Sequence, residues 1–215
     1  MIRQQDTPVN NSSPSAPANR PRSSGFSLIE MMIVASIIMI GGALAIMSLR
    51  TVSQDFRVTN GYDTVLMMMR RGRESAINER RQYLVTFVPP RTMTLTQIIP
   101  GTAGQVIATV SLPTDLQFDA EPGIPTNATY DNFGTGRFPI DFSQNNGGQG
   151  TTVYFYPDGS AHDVNGNLNN GVVYMARPGQ LYTSRAITLW GTTGRIRGYR
   201  LYNNQAAGTN FWRQQ

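Results

Sequence analysis

The feature that most constrains the fold of this chain is an apolar run that extends from Phe26 to Leu49. Glu30 is its only charged residue. At about 1.5 Å of rise per residue, such a helix crosses the roughly 30 Å core of a bilayer. A carboxylate inside an apolar run is costly, and ionisable groups at membrane depth usually serve a function. The run therefore predicts a transmembrane helix segment over residues 26–50 and leaves Glu30 in need of an explanation.

The first 25 residues have a different composition. The stretch MIRQQDTPVNNSSPSAPANRPRSSG is rich in Ser, Pro and Asn and too polar to form a core. We interpret residues 1–25 as a leader that is cleaved. The apolar run is too long for an ordinary secretory signal, and the small residues precede it instead of following it. Arg20 and Arg22 would keep this end in the cytoplasm, so the chain after Arg50 is expected outside.

Composition narrows the functional classes. The 215 residues suffice for one membrane segment and one modest domain. There is no cysteine, so disulfides and thiolate metal sites are excluded, and the formal net charge of +5 permits an anionic partner without requiring one. A single histidine leaves Ser–His catalysis and the usual zinc sites little to build on. We expect no enzymatic activity, no cofactor and no metal site.

Helical spacing continues after the apolar run. It predicts an amphipathic helix half over residues 51–82 that packs on a globular head. The apolar positions at helical intervals are Val52, Phe56, Tyr62, Leu66, Met69 and Ala76 or Ile77. Gly41-Gly42 and Asn60-Gly61 interrupt the pattern, because glycine costs about 1 kcal/mol relative to alanine within a helix. The glycines either melt or kink the helix on assembly or permit close helix contact, and both interpretations stay open.

From Tyr83 the periodicity changes to two. Segments rich in β-branched and aromatic residues are separated by Pro, Gly and Asn; they are YLVTFV, TMTLTQII, QVIATVSL, TTVYFY, GVVYMA, AITLW and IRGYRLY. Residues 83–215 are thus predicted to form a β-rich head of about six to eight short strands. Residues 119–150 are rich in turn formers and are predicted to be an irregular insertion. The predicted fold class is α+β, a long N-terminal helix packed on an antiparallel β-sheet head.

The residues at the start of the apolar run carry a resemblance. Gly25-Phe26-Ser27-Leu28-Ile29-Glu30 resembles the processing site of type IV pilins and type II secretion pseudopilins. The resemblance implies the pilin fold, cleavage by a prepilin peptidase between Gly25 and Phe26, N-methylation of Phe26, and an assembly role for Glu30. The charge of Glu30 then has a physical reason, because a buried amine at Phe26 of a neighbouring subunit needs a partner. The alternative is a simple signal anchor with an incidental glutamate.

Three further segments resemble GspH/FimT-type pseudopilins and minor pilins. They are RESAINERRQYLVTF at 73–87, VYFYPDGSA at 153–161 and AITLWGTTGRIRGYRL at 186–201. The resemblance implies a filament subunit of a type IV pilus or a type II secretion system. Its partners would be other pilin or pseudopilin subunits, the prepilin peptidase and the inner membrane. The chain would cross that membrane once, with its head in the periplasm, and later lie in a filament or at a pilus tip.

The C-terminal segment GRIRGYRLYNN raises a second possibility. Arg195 and Arg197 have the spacing that places both on one face of a strand, with Ile196 facing the core. Arg200 joins them if the chain turns at Gly198. Guanidinium groups bind phosphate, and the rings of Tyr199, Tyr202 and Trp212 could stack on bases.

The same segment is similar to a motif of the FimT branch. The run Gly194-Arg195-Ile196-Arg197 matches the DNA-binding motif of that branch, whose members serve in DNA uptake during natural transformation. The resemblance implies DNA as an alternative partner. The competing interpretation is that the arginines are ordinary surface residues, solvated or paired with carboxylates.

Two other polar features are interpreted structurally. His162 is predicted to be a loop residue. Asp163, Asn165 and Asn167 alternate as calcium ligands do, but no bidentate glutamate follows at the EF-hand distance. Turn-forming hydrogen bonds of Asp and Asn explain the same residues.

Overall fold

The computed structural model describes residues 25–125, 136–142, 150–204 and 208–215, and the side chains of residues 44–53 and 204 lie outside this description. The predicted leader, apart from Gly25, is also outside it. The chain divides into two compact units, Met1–Met47 and Ser48–Gln215.

Helix α1 spans Leu28–Glu79. The helix continues through Gly41-Gly42 and Asn60-Gly61. It ends at Glu79 and not at the predicted residue 82, because the next residue, Arg80, adopts a positive φ of 53°. A Cβ at Gly61 would collide with the side chain of Leu116. For Gly61 the structure therefore favours close packing over melting as the role of the glycine.

Ten strands follow the helix in the described part of the chain. They are β1 Tyr83–Val88, β2 Thr92–Gln97, β3 Gln105–Ser111, β4 Ile140–Phe142, β5 Thr152–Phe155, β6 Ala161–His162, β7 Gly171–Arg177, β8 Gln180–Trp190, β9 Arg195–Asn204 and β10 Thr209–Gln214. All pairs between them are antiparallel. The predicted α+β class is confirmed, although the strands exceed the expected six to eight.

The strands form two five-stranded sheets. The first has the order β3-β2-β1-β5-β6 and the second has the order β10-β9-β8-β7-β4. Residues 58–76 of α1 share one core with both sheets, in which Met69, Leu95, Phe155 and Ile187 are fully buried. This shared core is why the amphipathic stretch is helical over so many residues, since packing of an apolar face supplies most of the stability of a helix.

A second, smaller core covers the other face of the second sheet. Tyr174, Tyr199, Leu201 and Trp212 pack there with Ile124. The second sheet is therefore apolar on both faces, and alternate residues of β9 enter different cores.

Two predictions about irregular segments are wrong in part. Strand β4 lies within residues 119–150 and pairs with β7, so this segment is not irregular throughout; residues 126–135 and 143–149 lie outside the description. His162 is not a loop residue, because β6 pairs it with Tyr154 and its ring stacks on Tyr156 at 4.0 Å.

The Asp and Asn residues that follow His162 form the turn hydrogen bonds that the sequence predicts. One carboxylate oxygen of Asp163 accepts the backbone N–H groups of Asn165 and Asn167, each at 2.8 Å. The other oxygen accepts the side-chain amide of Asn167 at 3.2 Å. Hydrogen bonds of this kind stabilise a turn without a cation.

Candidate functional site

The predicted processing site lies on the residues that lead into α1. Gly25, Phe26 and Ser27 precede the helix, and the carbonyl oxygen of Ser27 accepts the N–H groups of Glu30 at 3.0 Å and Met31 at 3.2 Å. Glu30 lies in the first helical turn, where a negative charge is favoured by the helix dipole. A Cβ at Gly25 would meet nothing within 4 Å. The bond between Gly25 and Phe26 is therefore not covered by other described residues.

The following turns of α1 are apolar on every side. All described side chains from Gly25 to Ala43 are exposed, including Phe26 at 78% and Met39 at 70%. Apolar exposure on this scale usually marks an interaction surface. Among the described residues, no helix is both long enough and apolar enough to cross a membrane.

Strand β9 separates the three arginines singled out by the sequence. It runs without a turn from Arg195 to Asn204, so residues of opposite parity face opposite ways. Arg195 and Arg197 share a face, as predicted, and Arg195 lies over the Trp190 ring at 5.6 Å. Arg200 lies on the other face, so its expected grouping with Arg195 and Arg197 is wrong. The reason is that the chain does not turn at Gly198.

Gly198 is explained by packing instead. A Cβ at this position would collide with the phenolic oxygen of Tyr62 on α1. Ile196, two residues earlier on the same face, packs against the main core, as the sequence predicted. Glycine at 198 thus lets β9 and α1 approach closely.

A groove of about 510 Å³ opens beside the start of β9. Its lining residues are Arg70, Arg73, Glu74, Thr193, Gly194, Arg195 and Ile196. Two carbonyl oxygens hold the guanidinium of Arg73: Nε donates to Gly159 at 3.1 Å and Nη2 donates to Thr193 at 3.0 Å. The groove carries three arginines against one glutamate, so its potential favours anions.

Gly194 is required for this docking of Arg73. Its φ is 61°, and a Cβ there would collide with the Gly159 carbonyl oxygen and approach Nε of Arg73 to 2.6 Å. The glycine of the Gly194–Arg197 motif therefore has a packing role, whatever the arginines bind.

The N-terminal region of the chain is similar to a known protein family. A family model described as the prokaryotic N-terminal methylation motif matches residues 20–46. The chain carries a methylation motif of the type IV pilin kind. This match confirms the resemblance carried by residues 25–30, and no curated protein sequence matches the chain.

Solved structures similar to this chain are distant. The type IV minor pilin FimU of Pseudomonas aeruginosa has 10% identity and a TM-score of 0.45, covering 67% of this chain and 90% of that one. The minor pseudopilin EpsH from the type 2 secretion system of Vibrio cholerae has 14% identity and a TM-score of 0.45, covering 67% of this chain and 97% of that one.

Sequence reasoning missed two arginines that the sheet brings close to Arg200. Register places Arg200 between Arg185 of β8 and Arg213 of β10. Each lies on a different strand, so spacing along the chain carries no signal of the grouping. Only the strand pairing reveals it.

Proposed function

We propose that the chain is a minor pilin or pseudopilin, a non-enzymatic subunit of a type IV pilus or type II secretion pseudopilus. The observation that carries the proposal is the methylation motif over residues 20–46, which includes the Gly25–Glu30 segment. A continuous helix through that motif and an antiparallel head are consistent with it.

In this proposal the N-terminal segment is processed before assembly. A prepilin peptidase cleaves between Gly25 and Phe26 and methylates the new amine of Phe26. Residues 26–50 hold the subunit in the inner membrane, with the head in the periplasm, until a filament takes it up. The sequence supports this, because Glu30 is the only charge from Phe26 to Leu49 and Arg20 and Arg22 precede the run.

Glu30 then acts as the assembly contact. Inside a filament its carboxylate pairs with the Phe26 amine of a neighbouring subunit. An unpaired charge in such an environment is strongly unfavourable, so the pair also selects the axial register of each incoming subunit. The exposed apolar side chains of the first helical turns bury themselves against neighbouring helices in the same step.

Intact-mass analysis tests the processing step. The full chain is expressed with and without a prepilin peptidase and analysed by mass spectrometry. The expected product lacks residues 1–25 and carries one methyl group on Phe26. A chain that keeps its leader, or is cut elsewhere, contradicts the proposal.

DNA capture is a second candidate for the same subunit, supported by the arginine-lined groove. Arg195 and Arg197 share a face of β9, and Arg195 lines the groove with Arg70 and Arg73. If these groups bind phosphates, log affinity falls steeply with log salt. Arg195→Ala with Arg197→Ala is then expected to weaken DNA binding and reduce the salt slope by about 2. Binding unchanged in this double variant rejects DNA capture at this motif.

A further inference from the structure

Five residues of the second sheet form one surface that we call the arginine–aromatic surface. They are Arg185 of β8, Arg200 and Tyr202 of β9, and Phe211 and Arg213 of β10. Register pairs Arg200 with Arg185 on one side and with Arg213 on the other, and it pairs Tyr202 with Phe211. Since alternate residues of a strand share a face, all five point to the same side of the sheet.

Within the described part of the protein, no carboxylate forms an ion pair with Arg185, Arg200 or Arg213. The Asp55 carboxylate of α1 acts on Arg185 from a longer distance. Like charges directly opposite on adjacent strands destabilise a sheet. The arrangement is therefore costly unless an anion lies over it.

Arg185 is the buried member of this group. The residue is only 2% exposed, and its Nη1 donates to the carbonyl oxygens of Thr183 and Ser184 at 3.1 and 3.2 Å. Burial, followed by the Arg200 charge, lowers the pKa of Arg185 to about 10, while the Asp55 carboxylate acts in the opposite direction. Arg185 thus supplies a positive potential from beneath the surface, and the half-buried Arg200 and exposed Arg213 present donors to a ligand.

The aromatic half of the surface presents π-faces beside those charges. The rings of Tyr202 and Phe211 lie 6.0 Å apart at an interplanar angle of 27°, and the Arg200 guanidinium lies 5.4 Å from the Tyr202 ring centre. Phe211 is 42% exposed, so the outer face of its ring is accessible to a ligand. Exposed rings next to arginines are the features with which proteins hold single strands: bases stack, and guanidinium groups bind the backbone.

We propose that the arginine–aromatic surface binds single-stranded nucleic acid. A duplex hides the faces of its bases, whereas a single strand offers bases to the rings and phosphates to the arginines together. The surface lies on the opposite face of β9 from Arg195 and Arg197, so it stands or fails independently of DNA capture at that motif and of filament assembly.

A binding titration tests the proposal with the full chain in a non-ionic detergent. The probes are a fluorescent oligothymidine and a duplex of the same length, at low and physiological salt. The surface variant is Arg200→Gln with Arg213→Gln. The matched control is Arg71→Gln with Arg81→Gln, which removes the same charge from two exposed arginines that belong neither to this surface nor to the groove beside β9. We expect the surface variant to bind the single strand at least about tenfold less tightly, with a salt slope lower by about 1.4.

Two further measurements keep the test decisive. Phe211→Ala is expected to weaken single-strand binding at least about fivefold without changing the salt slope, because stacking is not ionic. Thermal unfolding is followed for every variant, and Arg213→Gln alone replaces the double variant if the latter does not fold. Arg213 is exposed, so this single change leaves both cores intact.

Four outcomes overturn the proposal. They are no binding by the unaltered chain, equal loss in the surface variant and the control, loss in the control alone, and tighter binding of the duplex than of the single strand. Displacement by polyglutamate at equal charge concentration is a fifth such outcome, since it assigns the surface to acidic proteins in general.

Discussion

The two stretches of α1 differ in how their apolar side chains are covered. From Gly25 to Ala43 every described side chain is exposed, whereas between residues 58 and 76 Met69 and Ala76 are completely buried. The first stretch is apolar on all sides, and the second has one apolar face and one polar face. An apolar helix face is stable when other apolar groups cover it. The head covers the apolar face of the second stretch, whereas no described residue covers the side chains of the first stretch.

This difference separates assembly from folding. Substitutions in the first stretch are expected to change what the subunit joins, and substitutions in the second are expected to change whether the head folds. Three predictions compare the two stretches of α1, and a fourth concerns the turn of the head that contacts α1. They begin with the largest expected effect.

The largest effect is expected from Glu30→Gln. Loss of the carboxylate leaves the neighbouring Phe26 amine unpaired within the filament, which reduces incorporation at least about a hundredfold. Immunoblots of sheared filaments measure incorporation, and intact mass checks that processing after Gly25 continues. Glu74→Gln, an exposed residue of the second stretch, is the control and is expected to assemble normally. Equal assembly of both variants contradicts the role of Glu30.

The next effect distinguishes two methionines of the same helix. Met69 is 0% exposed and Met39 is 70% exposed. Met69→Ala removes packed atoms from the shared core and is expected to lower the free energy of unfolding by about 3 kcal/mol. Met39→Ala is expected to change it by less than about 0.5 kcal/mol. Chemical denaturation in detergent measures both free energies of unfolding. Similar values for the two variants would contradict the difference in burial between the two stretches.

A smaller effect is expected where β9 meets α1. Gly198→Ala places a methyl group against the Tyr62 hydroxyl and should cost about 2 kcal/mol of unfolding free energy through overpacking. Gly41→Ala meets nothing within 4 Å and should be neutral or stabilise the helix by up to about 1 kcal/mol. Adding Tyr62→Phe to Gly198→Ala is expected to restore part of the loss, because it removes the colliding oxygen. A loss that Tyr62→Phe leaves unchanged assigns the cost to another cause.

The smallest effect concerns the turn on which Arg73 docks. The Asp158 carboxylate accepts the hydroxyl of Ser160 at 2.5 Å and its N–H at 2.9 Å, and these bonds lower the pKa of Asp158 below its usual value. A depressed pKa in the folded state means that the carboxylate stabilises the fold above its unfolded pKa of about 3.9, and that this contribution disappears as pH falls through the folded value.

Asp158→Asn measures that contribution. The variant is expected to melt slightly below the unaltered chain at pH 7, and the difference should shrink as the pH falls below the unfolded pKa of about 3.9. Asp158 is exposed, so the shift in melting temperature is expected to be small. A difference that stays constant across this range rules out the carboxylate hydrogen bonds as its source.

Much of the head was predictable because alternation survives in its buried strands. Every second side chain of β1 and β2 is buried, and in β3 the half-buried Ala108 and Val110 alternate with exposed residues. Strand β10 was missed because only Trp212 of its side chains is buried, so no alternation is visible. Strands β4 and β6 are too short to show a period.

The candidate sites divide in the same way. Gly25, Phe26 and Glu30 lie within six consecutive residues, so the roles proposed for them could be predicted from the sequence alone. Arg200 was misplaced because its partners depend on whether the chain turns at Gly198, and the space that glycine fills belongs to Tyr62 of a distant helix.

The sequence by itself determined the N-terminal methylation motif, the long helix and the β character of the head, because these depend on local order and periodicity. Only the tertiary structure decided which arginines lie together and why Gly194 and Gly198 are glycines. The physical reason is that strand register and helix–sheet contact join residues far apart in the chain. Sequence patterns show which face a side chain takes along its own strand but not which side chains lie beside it.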